Sequence, residues 1–486
     1  MKICDIIFRE EYILSEVDDN LDFNRIITTP DDIKEGDLLI IPNDKKTPDF
    51  SKVNAAPVAV ICSQNAILPD NIPRILVKNP RVALSYACFR YEKCDPESMK
   101  FIAVTGTNGK TTTATLIKSI LSKVGYKVGF IGTGKIEIGD NDITPDNYSM
   151  TTPDPSLLYH SISEMKRHGC NAVVMEASSH SLALDKLAPI EFDYAVFTNL
   201  SPEHLDFHGD MDNYFKAKMK LIDKSKCSII NIDDEYGMKA YNLCEGRKIS
   251  AGILWRGDVW ANNITNLGLN GISYTYHGMD FSFKMKLPLP GRYNAYNSML
   301  AATLCIDMGC KPCDVKTILA DAISAPGRYE VINSKISVII DYAHTSAAFK
   351  SILGELSSIK GQRRLTVVFG CGGDRDKLKR PEMAKIAEQY ADRIILTADN
   401  SRSESTSDII ADIIKGFERG SYEIKENRED AIHSAIMGAK DGDIVAIIGK
   451  GPEKYNIDKN GYHPFDEREI IDKALKKRNI GCGYEN

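Results

Sequence analysis

At 486 residues the chain is too long for a single hydrophobic core, and its length predicts about three domains. With 43% hydrophobic and 26% charged residues it has the make-up of a water-soluble globular protein, and a net charge of -6 gives no reason to expect nucleic acid as a partner. Met1 to Glu10 hold too short an apolar run for a secretory signal, no stretch has the length of a membrane span, and twelve scattered cysteines suit a reducing compartment; a cytoplasmic protein without membrane insertion is expected.

Residues 1–97 alternate short β-rich runs (37–41, 59–62, 75–77) with turn residues and predict a small α/β domain. Asp95-Pro96-Glu97-Ser98 reads as a linker, because proline and polar residues stop the preceding helix. Next, the apolar run Phe101-Ile102-Ala103-Val104 leads into Thr105-Gly106-Thr107-Asn108-Gly109-Lys110-Thr111-Thr112 and a long helical pattern. Glycines let backbone N–H groups approach phosphate oxygens, the helix start directs its positive end at them, Lys110 adds a point charge, and Thr111 offers a hydroxyl to a magnesium ion. The loop is a shortened variant of G-x-x-x-x-G-K-S/T, since Val104 stands where the longer pattern has glycine.

Apolar runs at 127–131, 172–175, 194–197 and 228–230 then alternate with helical segments, the pattern of a mostly parallel sheet covered on both faces. Ala325-Pro326-Gly327-Arg328 marks a second boundary, beyond which runs at 338–340, 365–369, 393–396 and 444–448 repeat the alternation. The expected fold is therefore α/β in three domains: a small N-terminal one (1–97), a central P-loop ATPase domain (98–327) and a Rossmann-like C-terminal domain (328–486). Cys310-Lys311-Pro312-Cys313 reads as a helix-entry turn with incidental thiols.

Functional groups in such sheets gather at the carboxyl ends of strands. Glu176 follows one run and is placed either to hold magnesium or to be a solvated loop acid. His204 and His208 follow another, but Gly209 and its neighbours predict a loop here, and an oxygen-rich hard-cation site fits better than zinc. Asn294 and Asn297 open a helix and can either read an adenine edge or cap the helix. In the last region Asp341, Gly370-Cys371-Gly372-Gly373-Asp374-Arg375-Asp376, Asp399-Asn400-Ser401-Arg402 and Gly449-Lys450-Gly451-Pro452-Glu453 each end a strand. Arginine and carboxylate converging there can bind a zwitterionic amino acid or form a structural salt bridge.

Taken together these strings resemble the Mur ligase family, and within it the tripeptide synthetases that add the third residue of the peptidoglycan peptide. The resemblance rests on the phosphate loop, Met175-Glu176-Ala177-Ser178-Ser179-His180, His204-Leu205-Asp206-Phe207-His208-Gly209-Asp210-Met211, Asp341-Tyr342-Ala343-His344-Thr345 and the glycine-rich string at 370–376. It implies that ATP phosphorylates a terminal carboxylate to an acyl phosphate, which an amine then attacks. Lys110, His204, Lys218 and His344 would belong to the catalytic machinery. Gly106 to Thr112, Asn294, Asn297, Arg328 and Asp341 would bind ATP; Thr111, Glu176, His204 and a carbamylated Lys218 would hold magnesium. Thr151, Thr152, Ser178 and Lys186 would meet the UDP-muramoyl peptide, Lys186 standing where the family usually has arginine.

For the added residue the resemblance implies Arg375, Asp399, Asn400, Arg402, Gly449 and Glu453. Diaminopimelate-adding members typically carry D-N-P-R and G-K-G-H-E; this chain keeps Arg402 and Glu453 but has Ser401 and Pro452 at the varied positions. A guanidinium left unpaired by lysine favours diaminopimelate, with lysine, ornithine or another acyl substrate as alternatives. Residues 28–37 depart from the family's uridine-binding string. A monomer that closes its domains on small-molecule substrates is expected. A non-catalytic nucleotide-binding module is the contrasting class, disfavoured because it has no use for Lys218 and His204 beside Lys110 and Glu176.

Overall fold

The computed structural model describes residues 1–8, 12–18, 20–42, 50, 55–69, 72–146 and 148–481; Arg9 and Glu10 of the first apolar segment lie outside them. One compact unit comprises Met1–Gly106, Ile120–Thr198 and Asp210–Ser250. It opens with a five-stranded sheet of β1 (Tyr12–Ser15), β2 (Ile26–Ile27), β3 (Leu38–Ile40), β4 (Ala59–Cys62) and β5 (Arg74–Val77), in the order β1-β5-β4-β3-β2. Only β1 runs antiparallel to its neighbour.

The same unit holds β6 (Lys100–Thr105), β7 (Val128–Gly132), β8 (Lys135–Ile138), β9 (Asn141–Asp142), β10 (Ala172–Glu176), β11 (Phe192–Phe197), β12 (Ser225–Asn231) and β13 (Arg247–Gly252). Their order is β13-β12-β11-β6-β10-β7-β8-β9, parallel from β12 through β7. All of β10 is buried, and so is β6 after Lys100, which is why these strands read as continuous apolar runs. Glu176 pairs with Val104 and Phe197 with Thr105, so β10 and β11 end level with the point where the phosphate loop leaves β6.

A second unit comprises Thr107–Ser119, Asn199–Gly209 and Ala251–Asn486. The strands β14 (Val259–Asn266), β15 (Ile272–His277) and β16 (Ser282–Leu287) form an antiparallel meander. No continuous apolar run announces it, because β14 and β16 are partly exposed and all three strands carry polar residues between apolar ones. The six strands β17 (Glu330–Asn333), β18 (Ser337–Asp341), β19 (Leu365–Phe369), β20 (Arg393–Leu396), β21 (Glu423–Ile424) and β22 (Ile444–Ile448) follow in the order β17-β18-β22-β19-β20-β21, parallel except for β17. Alternate residues of β22 face opposite cores: Ile444, Ala446 and Ile448 join Ile339, Val367 and Phe369, while Val445 and Ile447 join Val338, Ile340 and Val368. A hairpin, β23 (Tyr455–Asp458) and β24 (Gly461–Pro464), precedes the last helix.

One local expectation is corrected. Residues 205–208, read as loop, form the short helix Leu205–His208, entered through His204 in the left-handed region at φ 57°. Leu205-Asp206-Phe207-His208 contains no helix breaker before Gly209, and the left-handed turn at His204 supplies the change of direction that a loop was expected to make.

Candidate active site

The phosphate loop connects β6 to the helix Lys110–Lys123. Its glycines have positive φ, 146° at Gly106 and 86° at Gly109. A Cβ on Gly109 would stand 2.4 Å from Asn297 Oδ1, so both backbone conformation and close packing require glycine there. The loop is braced by Asn199, which accepts from Asn108 N at 3.0 Å and donates Nδ2 to Asn108 O at 3.0 Å. Lys110 Nζ donates to Thr107 O at 2.8 Å, which holds the ammonium back on the loop.

Asn294 and Asn297 lie inside the helix Tyr293–Asp307, whose N-cap is Arg292, so the capping role weighed for Asn294 does not apply. Both amides are buried and interlocked. Asn294 Nδ2 donates to Pro290 O at 2.6 Å, Asn297 Nδ2 to Asn294 Oδ1 at 3.0 Å, and Thr113 Oγ1 to Asn297 Oδ1 at 3.4 Å. Arg328 Nη2 donates to Thr111 Oγ1 at 3.3 Å while its guanidinium lies 4.4 Å from the Tyr342 ring centre; its Nε is buried without a partner. Asp341 accepts from Tyr329 N and Ala343 N, both at 2.7 Å. Burial raises its carboxyl above the usual range, and Arg328 with the two amides offsets only part of that.

Glu203 is a residue the sequence reading passed over. Its Oε1 accepts from His344 Nε2 at 3.0 Å and lies 3.7 Å from His204 Nε2. Burial alone would raise its carboxyl; His344, His204 and Lys110 outweigh burial and hold it well below the ordinary carboxylate value. A carboxylate immediately after Pro202 and before His204, just beyond the carboxyl end of β11, was the available signal.

In the first unit Glu176 is fully buried at the end of β10, accepting from Thr133 N at 2.9 Å and Thr133 Oγ1 at 3.3 Å. Three of the four predicted acyl-substrate residues, Thr151, Thr152 and Ser178, gather around it. Thr151 Oγ1 meets Thr133 Oγ1 at 3.1 Å, Thr152 Oγ1 donates to Glu176 O at 2.8 Å, and Ser178 N donates to Thr152 Oγ1 at 3.1 Å. Lys186 pairs with Asp154 at 2.7 Å. Lys218, only 1% exposed on the helix Met211–Asp223, donates to Gly106 O at 2.8 Å and lies over the Tyr214 ring at 4.8 Å. Further back, Asp37 of the divergent string is forked by Arg25 at 2.9 and 2.6 Å, which holds its carboxyl below the usual range and makes it a brace between β3 and the residues before β2.

The third group lies at the carboxyl edge of β18, β22, β19 and β20. Asn400 is its hub: Nδ2 donates to Glu453 Oε2 at 2.7 Å, and Oδ1 accepts from Lys450 Nζ and Ile457 N, both at 2.9 Å. Lys450, fully buried, also lies 3.7 Å from Glu453 and 4.0 Å from Asp399. Glu453 further accepts from Tyr342 Oη at 3.3 Å. Two carboxylates thus share one ammonium. Burial would raise Asp399, but Lys450 and Arg428 keep it below the usual range, whereas burial and the nearby Asp399 charge push Glu453 up. Gly449, at φ 124°, allows Asp399 its close approach, since a Cβ would stand 2.7 Å from Asp399 Oδ2. The place of Lys450 between Asp399, Asn400 and Glu453 follows from these tertiary contacts and not from the spacing of the 449–453 string.

The premise of an Arg402 guanidinium waiting for a ligand is modified. Arg402, at φ 52°, donates Nη1 to Gly373 O at 2.8 Å and to Asn400 O at 3.3 Å, so one end of the fork already ties the two loops together. Arg375 is exposed on the 370–376 loop, with its Cγ near Gly372.

Residues 104–305 match the Mur ligase middle domain and residues 327–451 the Mur ligase glutamate ligase domain. The UDP-N-acetylmuramoyl-L-alanyl-D-glutamate–2,6-diaminopimelate ligase 1 of Clostridium acetobutylicum is 38% identical over 427 residues, covering 86% of this chain and 86% of its own. A ligase of the same name from Clostridium tetani is 35% identical over 489 residues, 98% and 100% of the two chains. Among solved structures, a UDP-N-acetylmuramoyl-L-alanyl-D-glutamate–2,6-diaminopimelate ligase is 26% identical, covers 99% of both chains and superposes with a TM-score of 0.66.

Proposed function

The chain belongs to the Mur ligase family, and on that premise we propose that it is an ATP-dependent ligase that joins meso-diaminopimelate to UDP-N-acetylmuramoyl-L-alanyl-D-glutamate in peptidoglycan precursor synthesis. The single observation carrying the choice of amino acid is the group of Asp399, Asn400, Arg402, Lys450 and Glu453 on one sheet edge, in a chain whose relatives bear that activity in their names. Two carboxylates around one lysine leave an excess negative charge, which suits a ligand ammonium, and the part of the Arg402 fork not spent on Gly373 and Asn400 suits a ligand carboxylate. Arg375 and Gly449 complete the amino-acid group. Residues 1–97, 98–327 and 328–486 would serve as the nucleotide-sugar, ATP and amino-acid domains of a cytoplasmic monomer; no helix among the described residues is long and apolar enough to cross a membrane.

In this reading the phosphate loop from Gly106 to Thr112, Lys110 and Arg328 cradle the ATP phosphates, Asn294 and Asn297 meet adenine through their remaining amide hydrogens, and Asp341 meets the ribose. Thr151, Thr152, Ser178 and Lys186 orient the acyl substrate beside Glu176. ATP phosphorylates the substrate carboxylate; the amine attacks the acyl phosphate, and the tetrahedral intermediate collapses with loss of phosphate. In the first unit Glu176 and a carbamylated Lys218, and in the second Thr111 and His204, are donors of the kind that would hold the magnesium ions that neutralise the phosphate oxygens. Modification fits Lys218, since a buried ammonium among cations would be repelled and a carbamate would not.

Phosphate release measured with the muramoyl dipeptide and, separately, meso-diaminopimelate, L-lysine or L-ornithine tests the reading. Release with diaminopimelate supports it. Release only with lysine or ornithine would replace it with the second reading, which Ser401, Pro452 and the partly engaged Arg402 favour.

A further inference from the structure

Glu203 has contacts that none of the roles above uses. Its side chain is 12% exposed and its Oε1 accepts from His344 Nε2 at 3.0 Å. The other ring nitrogen of His344 faces Tyr342 O at 2.9 Å. Held at both edges, the ring is fixed in rotation and in place. Lys379 Nζ adds a third tie, donating to the backbone carbonyl of His344 at 2.8 Å. At the other end of this short turn, Asp341 accepts from Tyr329 N and Ala343 N, and the Tyr342 ring lies under the Arg328 guanidinium, whose Nη2 reaches Thr111 Oγ1 on the first turn of the phosphate-loop helix.

The contacts therefore run unbroken from Glu203 through His344 and Tyr342 to Arg328 and Thr111. We propose that Glu203 is a positioning residue for the nucleotide: by holding the His344 ring it sets the 341–344 turn, and the turn presents Asp341 and Arg328 to ATP. The proposal rests on the reading of Arg328 and Asp341 as nucleotide contacts. Arg328 needs such support because its Nε has no partner and one of its few anchors is the face of Tyr342. Without the Glu203 acceptor, His344 keeps only ties within its own turn and to Lys379.

Binding of magnesium-ATP to the full chain, measured by calorimetry without acyl substrate, tests this on Glu203→Ala, His344→Ala and the double variant, with steady-state KM and kcat alongside. Glu203→Ala should weaken ATP binding about tenfold and raise KM for ATP, leave KM for the amino acid unchanged, and add less than about twofold in the His344→Ala background. Glu203→Gln, which keeps an acceptor oxygen, should recover most of the loss; if Glu203→Ala fails to fold, Glu203→Leu, which fills the space without an acceptor, takes its place in the cycle. Unchanged ATP binding in Glu203→Ala, or an equal loss with and without His344, overturns the proposal. If the wild type binds ATP and shows this coupling but turns over none of the three amino acids, the assignment of function fails and the positioning role stands. If it turns over and the losses are additive, only the positioning role fails.

Discussion

Lys218 Nζ donates to the carbonyl of Gly106 at 2.8 Å, which puts a buried lysine against the backbone of the phosphate loop itself. An ammonium in that position would repel a cation, whereas a carbamate would present oxygens to it. Lys218→Ala should therefore reduce phosphate release by at least about a hundredfold, and a short carboxylic acid should restore part of it. Full activity in Lys218→Ala would rule out the proposed role of the residue in holding a metal.

Gly109→Ala places a methyl group 2.4 Å from Asn297 Oδ1 at a φ of 86°. The steric clash and the left-handed backbone together should cost about 1–3 kcal/mol and weaken ATP binding. Calorimetric ATP titration and thermal unfolding of the variant measure both. Adding Asn297→Ala should relieve the clash but not the backbone strain; recovery to wild-type stability would mean that strain at position 109 is negligible.

Arg428 and Glu467 form a buried ion pair at 2.5 Å, and Arg428 also donates to Ala398 O and Ile448 O, both at 3.1 Å, just beyond β20 and at the end of β22. Arg428→Met leaves a buried carboxylate without its cation and should lose about 3–5 kcal/mol, whereas Arg428→Met with Glu467→Leu should lose much less. Denaturant unfolding of the two variants decides; a double variant as unstable as the single one would show that the carbonyl contacts, not the charge, carry the cost.

Glu404 is tied to Arg380 and to the 370–376 loop, accepting from Arg380 Nη2 at 2.8 Å, Arg380 Nη1 at 3.0 Å and Asp374 N at 2.6 Å. Arg380 above all, then the Asp374 amide and Lys377, holds its carboxyl well below the ordinary value. A carboxyl depressed in the folded state stabilises the protein above its unfolded pKa, and that stability is lost as pH falls through and below about 4.3 because the unfolded chain takes the proton first. Glu404→Gln should thus lower stability at pH 7 and make it fall less steeply between about pH 5 and 3. Parallel slopes for wild type and variant would show that Glu404 does not supply this acid sensitivity.

Both parallel sheets were legible because strands such as β10 and β22 are buried on two faces and carry nothing but apolar residues before their ends. The positions of the candidate residues Lys110, Glu176 and Asp399 were legible for a related reason, as each breaks an apolar run or follows one closely at a strand's carboxyl end. The meander β14 to β16 was not, since the half-exposed β14 and β16 and the polar residues within β15 blur the pattern. Glu203 and Lys450 were missed because their meaning lies in partners distant in sequence: His344 is 141 residues from Glu203, and Asn400 is 50 from Lys450. The engagement of Arg402 with Gly373 belongs to the same class, a tertiary contact that no local spacing encodes.

The most direct test of the central claim is a competition. The chain is incubated with ATP, the muramoyl dipeptide nucleotide and equal concentrations of meso-diaminopimelate, L-lysine and L-ornithine, and the nucleotide product is identified by tandem mass spectrometry. Diaminopimelate as the predominant third residue, with that preference lost in Arg402→Lys, is the predicted result. A product carrying mainly lysine or ornithine, or no new amide at all while ATP still binds, would contradict it.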